Sequence, residues 1–164
     1  MWGSMRSDVE VAQAIEQHAD TVRRLCMVYL KNDADAEDIF QNVFLKYALY
    51  SAAFESPEHE AAWIVRVTIN ACKDLLRNVF RRRTVSLDQV AGLPEVSDPA
   101  HREVLEAVLS LPEKYRVAIY LHYYEGYTAP EIGKLTGRNV NTVYTLLNRG
   151  KNMLKEVLED EGLG

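Results

Sequence analysis

The chain has 164 residues, 48% of them hydrophobic, with only 8 glycines and 5 prolines, enough for one domain or two small ones. No apolar run is long enough to span a bilayer and no secretory signal is visible, so the expectation is a cytoplasmic protein with no membrane insertion. The net charge of −5 argues against nucleic acid only until its distribution is considered. Residues 1–60 carry 5 basic and 11 acidic side chains, residues 61–86 carry 6 and 1, residues 87–110 carry 1 and 5, and residues 111–164 carry 7 of each. Local patches govern nucleic-acid binding, so a basic segment in an acidic chain remains compatible with it, and the acidic parts point to a second partner that is not DNA.

Apolar residues recur at helical spacing throughout, and no alternating strand pattern is evident, so the chain reads as all-α. The first helix is predicted over about Ser7 to Lys31, with Val11, Ile15, Ala19, Val22, Cys26 and Tyr29 on one face. The second starts near Asp33 or Asp35, where an acidic first turn suits the helix dipole, and turns Ala36, Ile39, Phe40, Val43, Phe44 and Tyr47 inward. Its other face is polar: Asp35, Asp38, Gln41, Asn42 and Lys46. The tract from Ser51 to Glu60 reads as a loop, and Ser56-Pro57 marks the next helix start, a cap followed by a proline at the first helical position.

The third helix, about Pro57 to Arg83, has two faces. Ile64, Val67, Thr68, Ala71 and Leu75 point one way. Arg66, Asn70, Lys73, Arg77 and Arg81 fall within an arc of about 80° at 100° per residue, a stripe of hydrogen-bond donors continued by Arg82 and Arg83. Trp63 lies at the edge of this stripe and reads equally as a core residue or as part of the exposed face. The stretch from Thr84 to about Asp98 has Gly92, Pro94, Ser97 and no apolar period, and reads as an acidic linker between a domain at 7–83 and one at 99–164.

In the second domain, Asp98-Pro99 starts a helix through Leu109, and Ser110-Leu111-Pro112-Glu113 starts another through about Tyr124, ending at Gly126. Two short helices then follow across a tight turn, a helix-turn-helix. Thr128 and Glu131 make a capping-box pair, Gly133 allows a close helix crossing, Gly137 supplies the turn, and Asn139 caps the second helix. Val140, Val143, Leu147 and Leu154 form its inward face, while Leu146 is expected to be exposed. Five Lys or Arg and no Asp or Glu lie between Lys134 and Lys155. Such a helix can enter a major groove, whereas an ordinary helical hairpin with a solvated basic face would look the same.

Cys26 and Cys72 each sit in an amphipathic pattern and read as buried small hydrophobes in a reducing compartment. His18, His59, His101 and His122 are scattered without a metal-ligand spacing, so no metal, no cofactor and no enzymatic activity are expected.

Four blocks together resemble one family. Asp35-Ala-Glu-Asp-Ile-Phe-Gln-Asn-Val-Phe-Leu-Lys46 is similar to the polymerase-clamp helix, typically DAEDLVQETFLR, of the extracytoplasmic-function sigma factors of bacterial RNA polymerase. The block from Ala62 to Arg77 resembles that family's promoter-melting helix, Leu111 to Arg116 the start of its upstream-element domain, and Gly126 to Lys151 its helix-turn-helix. The likeness covers about residues 8–155, in the family's order.

The resemblance implies core RNA polymerase and promoter DNA as partners, with the chain a monomer when bound to polymerase and an anti-sigma protein as regulator, since no sensor extension is visible. It implies that Trp63, Arg66, Asn70, Lys73, Arg77 and Arg81 meet the melted promoter element, with a flipped base captured by the loop from Ala52 to Glu60. It implies that Arg138, Asn141, Thr142, Tyr144, Thr145, Asn148, Arg149 and Lys151 meet the upstream element. Asp35, Asp38, Gln41, Asn42 and Phe44 would bind polymerase, although Asn42 stands where the family has Glu. The linker acids Asp88, Glu95 and Asp98 would thread toward the polymerase active centre. Tyr144-Thr145-Leu146 stands where the family commonly has Lys-Ser-Arg, so two groove cations are missing. The rival readings are a conventional helix-turn-helix regulator that binds duplex DNA without polymerase, a helical metal enzyme, and an adaptor that binds polymerase without DNA.

Overall fold

The computed structural model describes residues 5–82 and 99–160, and these are helical with short connections. They fall into two compact units, one within residues 1–92 and the other within residues 93–164. The segment predicted as the acidic linker, with Asp88, Glu95 and Asp98, lies outside the described residues, as does Arg83.

The first unit is a bundle of three helices, α1 (Asp8–Leu30), α2 (Asp33–Leu49) and α3 (Pro57–Arg82), each packed on the other two. Local chemistry sets their ends. Ser7 caps α1 by accepting from the Glu10 amide, and Lys31 closes it in the left-handed region at φ 54°. Asn32, which the sequence pattern did not single out, caps α2 by accepting from the Asp35 amide. Ser56 caps α3 by accepting from the His59 amide, so the loop predicted to reach Glu60 ends at Ser56, and Glu60 belongs to the first turn of α3.

All six residues predicted to point inward from α2 are buried. The core also takes Ala14, Leu25, Met27 and Val28 from α1 and Val65, Ile69 and Cys72 from α3, because a helix that meets two neighbours needs an apolar stripe wider than one seam. Cys26 and Cys72 are buried free thiols. Thr68 satisfies its buried hydroxyl by donating to the Ile64 carbonyl at 2.8 Å.

The second unit contains α4 (Pro99–Leu109), α5 (Glu113–Ile119), α6 (Ala129–Thr136) and α7 (Val140–Asp160). After α5 the chain continues as a π-helical turn over Tyr120–Tyr124, where a continuous α-helix was expected. The wider turn is held by the Glu125 amide donating to the Tyr120 carbonyl and by the Tyr120 hydroxyl donating to the Glu125 carboxylate at 2.5 Å. Val108, Leu111 and Ile119 form a core, and Tyr115, Leu147, Met153 and Leu154 pack on it. Gly150 lets α7 lie directly on α5, since a Cβ there would come within 2.9 Å of the Ile119 side chain.

Candidate nucleic-acid interface

The α6–α7 pair has the turn that the sequence predicts. The Thr128 hydroxyl accepts from the Glu131 amide, and the Glu131 carboxylate accepts from the Thr128 amide at 2.9 Å. The second of these bonds holds the Glu131 carboxyl below its ordinary range. Gly137 occupies the left-handed region at φ 75°. A Cβ on Gly133 would sit 2.7 Å from the Arg138 carbonyl oxygen, so α6 and the start of α7 can meet only at a glycine. Asn139 Oδ1 accepts from the Asn141 amide at 2.8 Å and caps α7.

The exposed side of α7 collects the residues proposed for the upstream element. Asn141, Thr142, Tyr144, Thr145, Asn148, Arg149 and Lys151 are all exposed, as is Arg138 just before the helix. The Thr145 hydroxyl donates to the Asn141 carbonyl, which leaves its oxygen to accept. Leu146 is a correction: it was expected at the surface and is 5% exposed. Val143, Leu146, Leu147 and Gly150 follow the 3-1-3 spacing of a single apolar face, of which Val143, Leu146 and Gly150 are buried and Leu147 is half-buried. Tyr144, 52% exposed, is therefore the one of the two departures from the family pattern that reaches solvent.

On α3 the donor stripe is only partly uniform. Arg66, Asn70 and Arg77 are exposed, and Lys73 is half-buried. Arg77 pairs with Asp74 one turn back, so an acid borders the stripe. Arg81 belongs to the helix, but its side chain lies outside the described residues.

Trp63, at the edge of the stripe, is half-buried in a cluster of rings. Its centroid lies 4.7 Å from Tyr50, 5.6 Å from Phe54 and 6.2 Å from Tyr47. Phe54 is the lone aromatic of the loop in sequence, but Tyr47 and Tyr50 reach it from the end of α2. The cluster is pinned from below by polar groups. The Tyr47 hydroxyl donates to Glu60 Oε1 at 2.6 Å, and His18 Nε2 lies 3.2 Å from Glu60 Oε2. Burial, then the hydrogen bond and charge of Glu60, push the Tyr47 phenol from 10.0 to about 12, against a smaller opposing pull from Arg6. Arg6 completes the cluster, with its guanidinium 4.6 Å from the Tyr47 ring centroid and 4.9 Å from that of Phe54.

The outward face of α2 exposes Asp38, Gln41 and Asn42, with Asp35 half-buried at the first turn. Phe44 does not join them. It is 5% exposed, with its ring 4.9 Å from that of Phe40, because its position falls on the apolar face of the helix.

Residues 14–83 match the model for sigma-70 region 2, and residues 101–154 match that for sigma-70, region 4. The chain belongs to the extracytoplasmic-function sigma factors. RNA polymerase sigma factor SigV of Bacillus subtilis is 28% identical over 151 residues, a stretch that covers 91% of each chain. ECF RNA polymerase sigma factor SigE of Mycolicibacterium smegmatis is 31% identical over 156 residues, covering 89% of this chain and 60% of that protein. Among solved structures, the sigma factor RpoE in complex with the anti-sigma factor NepR from Bartonella quintana has the same fold, with a TM-score of 0.77 at 21% identity, covering 92% of this chain and 97% of that one.

In this sigma factor, the sequence pattern places Tyr47 inward and Glu60 at the end of the loop, but it signals neither their contact nor the parts played by Arg6 and Tyr50. Arg6 meets Tyr47 across 41 positions and His18 meets Glu60 across 42, and no local pattern signals either contact. Arg6 also precedes the part of the chain that matches region 2. Among the described residues no helix is long and apolar enough to cross a membrane.

Proposed function

We propose that this sigma factor, working in the cytoplasm, docks on core RNA polymerase through the outward face of α2 and opens promoter DNA along α3. Its α7 then reads the upstream element. One observation carries the reading: a single three-helix unit exposes Asp38, Gln41 and Asn42 on α2 and Arg66, Asn70 and Arg77 on α3. Acidic and amide groups suit a basic protein surface, and the donor stripe suits phosphates and unpaired bases.

In this mechanism Arg66 and Arg77 hold the backbone of the displaced strand, Asn70 and Lys73 offer hydrogen bonds to base edges, and the rings around Trp63 give unpaired bases a stacking surface. Unstacked bases then lose less by leaving the duplex, which favours the open state. Exposed Asn141, Asn148 and Arg149 on α7 have the donor and acceptor types that read major-groove edges, and Tyr144 offers apolar contact to thymine methyl groups. An anti-sigma protein is the regulator this reading assigns.

The test is transcription from a defined promoter by core polymerase, with and without the chain. The reading requires promoter-specific transcripts only when both are present. Specific duplex binding by the chain without polymerase, and no transcripts, would support the conventional regulator.

A further inference from the structure

Arg6 holds the loop between α2 and α3 from outside the bundle. The last carbonyls of a helix lack partners within it. At the end of α2, Arg6 binds two of them: its backbone amide donates to the Ala48 carbonyl at 2.9 Å, and its Nε donates at 3.1 Å to the Tyr47 carbonyl, which also accepts from the Tyr50 amide. The same guanidinium reaches past the helix end, donating from Nη2 to the Ala52 carbonyl at 2.6 Å. Nη1 donates to Glu10 at 3.3 Å, which fixes the plane of the fork. With its cation over the Tyr47 and Phe54 rings, the side chain is only 12% exposed.

The loop needs such a hold. Ser51, Ala52 and Ala53 are exposed, so burial does little to choose their conformation. Phe54, at the end of this run, faces Trp63, Tyr47 and Tyr50. Where Ala52 is held therefore decides where Phe54 stands in the ring cluster. A lysine cannot do the same, because one ammonium does not reproduce a planar fork that donates in three directions.

We propose that Arg6 is a positioning residue for promoter opening, fixing the loop at residues 51–56 in the shape that meets unpaired bases. This rests on the reading of α3 and its loop as the melting surface. Arg6 itself touches no DNA in this scheme and acts through Ala52 and Phe54.

The experiment uses the full chain with core polymerase and compares wild type, Arg6→Ala, Arg6→Lys and Lys73→Ala. Three quantities are measured: affinity for core polymerase, permanganate reactivity of the promoter bubble, and bubble yield when each position of the downstream element carries each of the four bases. With Arg6→Ala, polymerase affinity is expected to stay unchanged while bubble yield falls about tenfold, the scale of a lost base contact. The preference among the four bases at one or more positions should also flatten. Arg6→Lys should keep the domain folded, as judged by circular dichroism, and still flatten the preference.

A merely structural role would lower yield for all four bases in proportion and leave their ranking and ratios intact, which overturns the proposal. So does a normal bubble with Arg6→Ala, or a fall in bubble yield matched by a fall in polymerase affinity. Lys73→Ala separates the two levels. If it loses the bubble and the Arg6 variants do not, only the role of Arg6 falls. If a wild-type chain opens no promoter, or if Lys73→Ala and the Arg6 variants all leave the bubble unchanged, the reading of the melting surface falls with it.

Discussion

The Tyr47 hydroxyl donates a 2.6 Å hydrogen bond to Glu60 Oε1, tying the last turn of α2 to the first turn of α3 across the loop that joins them. His18 of α1 meets the other oxygen of the same carboxylate at 3.2 Å. One acid thus links all three helices of the first unit beneath the ring cluster.

Tyr47→Phe should lower the stability of the first unit by about 1.5 kcal/mol, the low end for a hydrogen bond to a charged acceptor. Denaturant unfolding followed by circular dichroism checks this. The phenol's ionisation, raised to about 12, gives the pH dependence its sign. The stability from keeping Tyr47 neutral is complete below pH 10 and is lost as pH rises through about 12. In Tyr47→Phe the alkaline loss due to this phenol should be absent, and an ultraviolet titration should show a late-ionising phenol in the wild type that the variant lacks, while Tyr127, which burial also raises, ionises late in both.

How much of this was legible in the sequence follows the range of each interaction. Caps, turns and helix faces are local, so Ser56, Thr128, Glu131, Gly137 and the inward face of α2 were found from spacing alone. The stripe on α3 is local as well, and its exposed members Arg66, Asn70 and Arg77 stand where a helical wheel puts them. Leu146 escapes a spacing argument because Leu147 already fills an inward position, whereas a helix packed on more than one neighbour buries a wider arc. The Arg6–Tyr47 and His18–Glu60 contacts join residues about forty positions apart, and only the packed bundle brings them together.

On the α3 stripe, Lys73→Ala and Arg77→Ala should each weaken binding of the melted element by about 1–3 kcal/mol, with polymerase docking preserved. Because Asp74 pairs with Arg77, Asp74→Asn should act in the opposite direction and strengthen binding of single-stranded promoter DNA. Permanganate footprints and fluorescence anisotropy with a single-stranded oligonucleotide measure both. Intact bubbles with lost polymerase binding would mark the stripe as a protein-binding surface.

On α2, exposed Asp38 and buried Phe44 should behave differently. Asp38→Arg should weaken polymerase capture in a pull-down while leaving the thermal unfolding curve unchanged. Phe44→Ala should cost about 3–5 kcal/mol of stability through the cavity it leaves, and any loss of polymerase binding should track unfolding. Unchanged capture with Asp38→Arg would remove α2 from the docking surface.

On α7, Tyr144→Lys should add a phosphate contact and steepen the salt dependence of upstream-element binding by about 0.9 in log–log slope. Leu146→Arg should instead destabilise the second unit by about 4 kcal/mol or more, because it buries an unpaired charge. A salt titration of binding and a denaturant melt separate the two. A folded Leu146→Arg variant with a steeper salt slope would contradict the buried position of Leu146.

The central claim is that this chain recognises promoters only as part of a polymerase complex. The measurement is equilibrium binding of labelled promoter duplex by the full chain, alone and with core polymerase, at one fixed salt concentration. The 11 acidic against 5 basic residues in positions 1–60 repel DNA until a protein partner covers them, so the account predicts weak, unselective binding alone and tight, promoter-selective binding with polymerase. Tight, sequence-selective binding by the free chain, unchanged when polymerase is added, would contradict it.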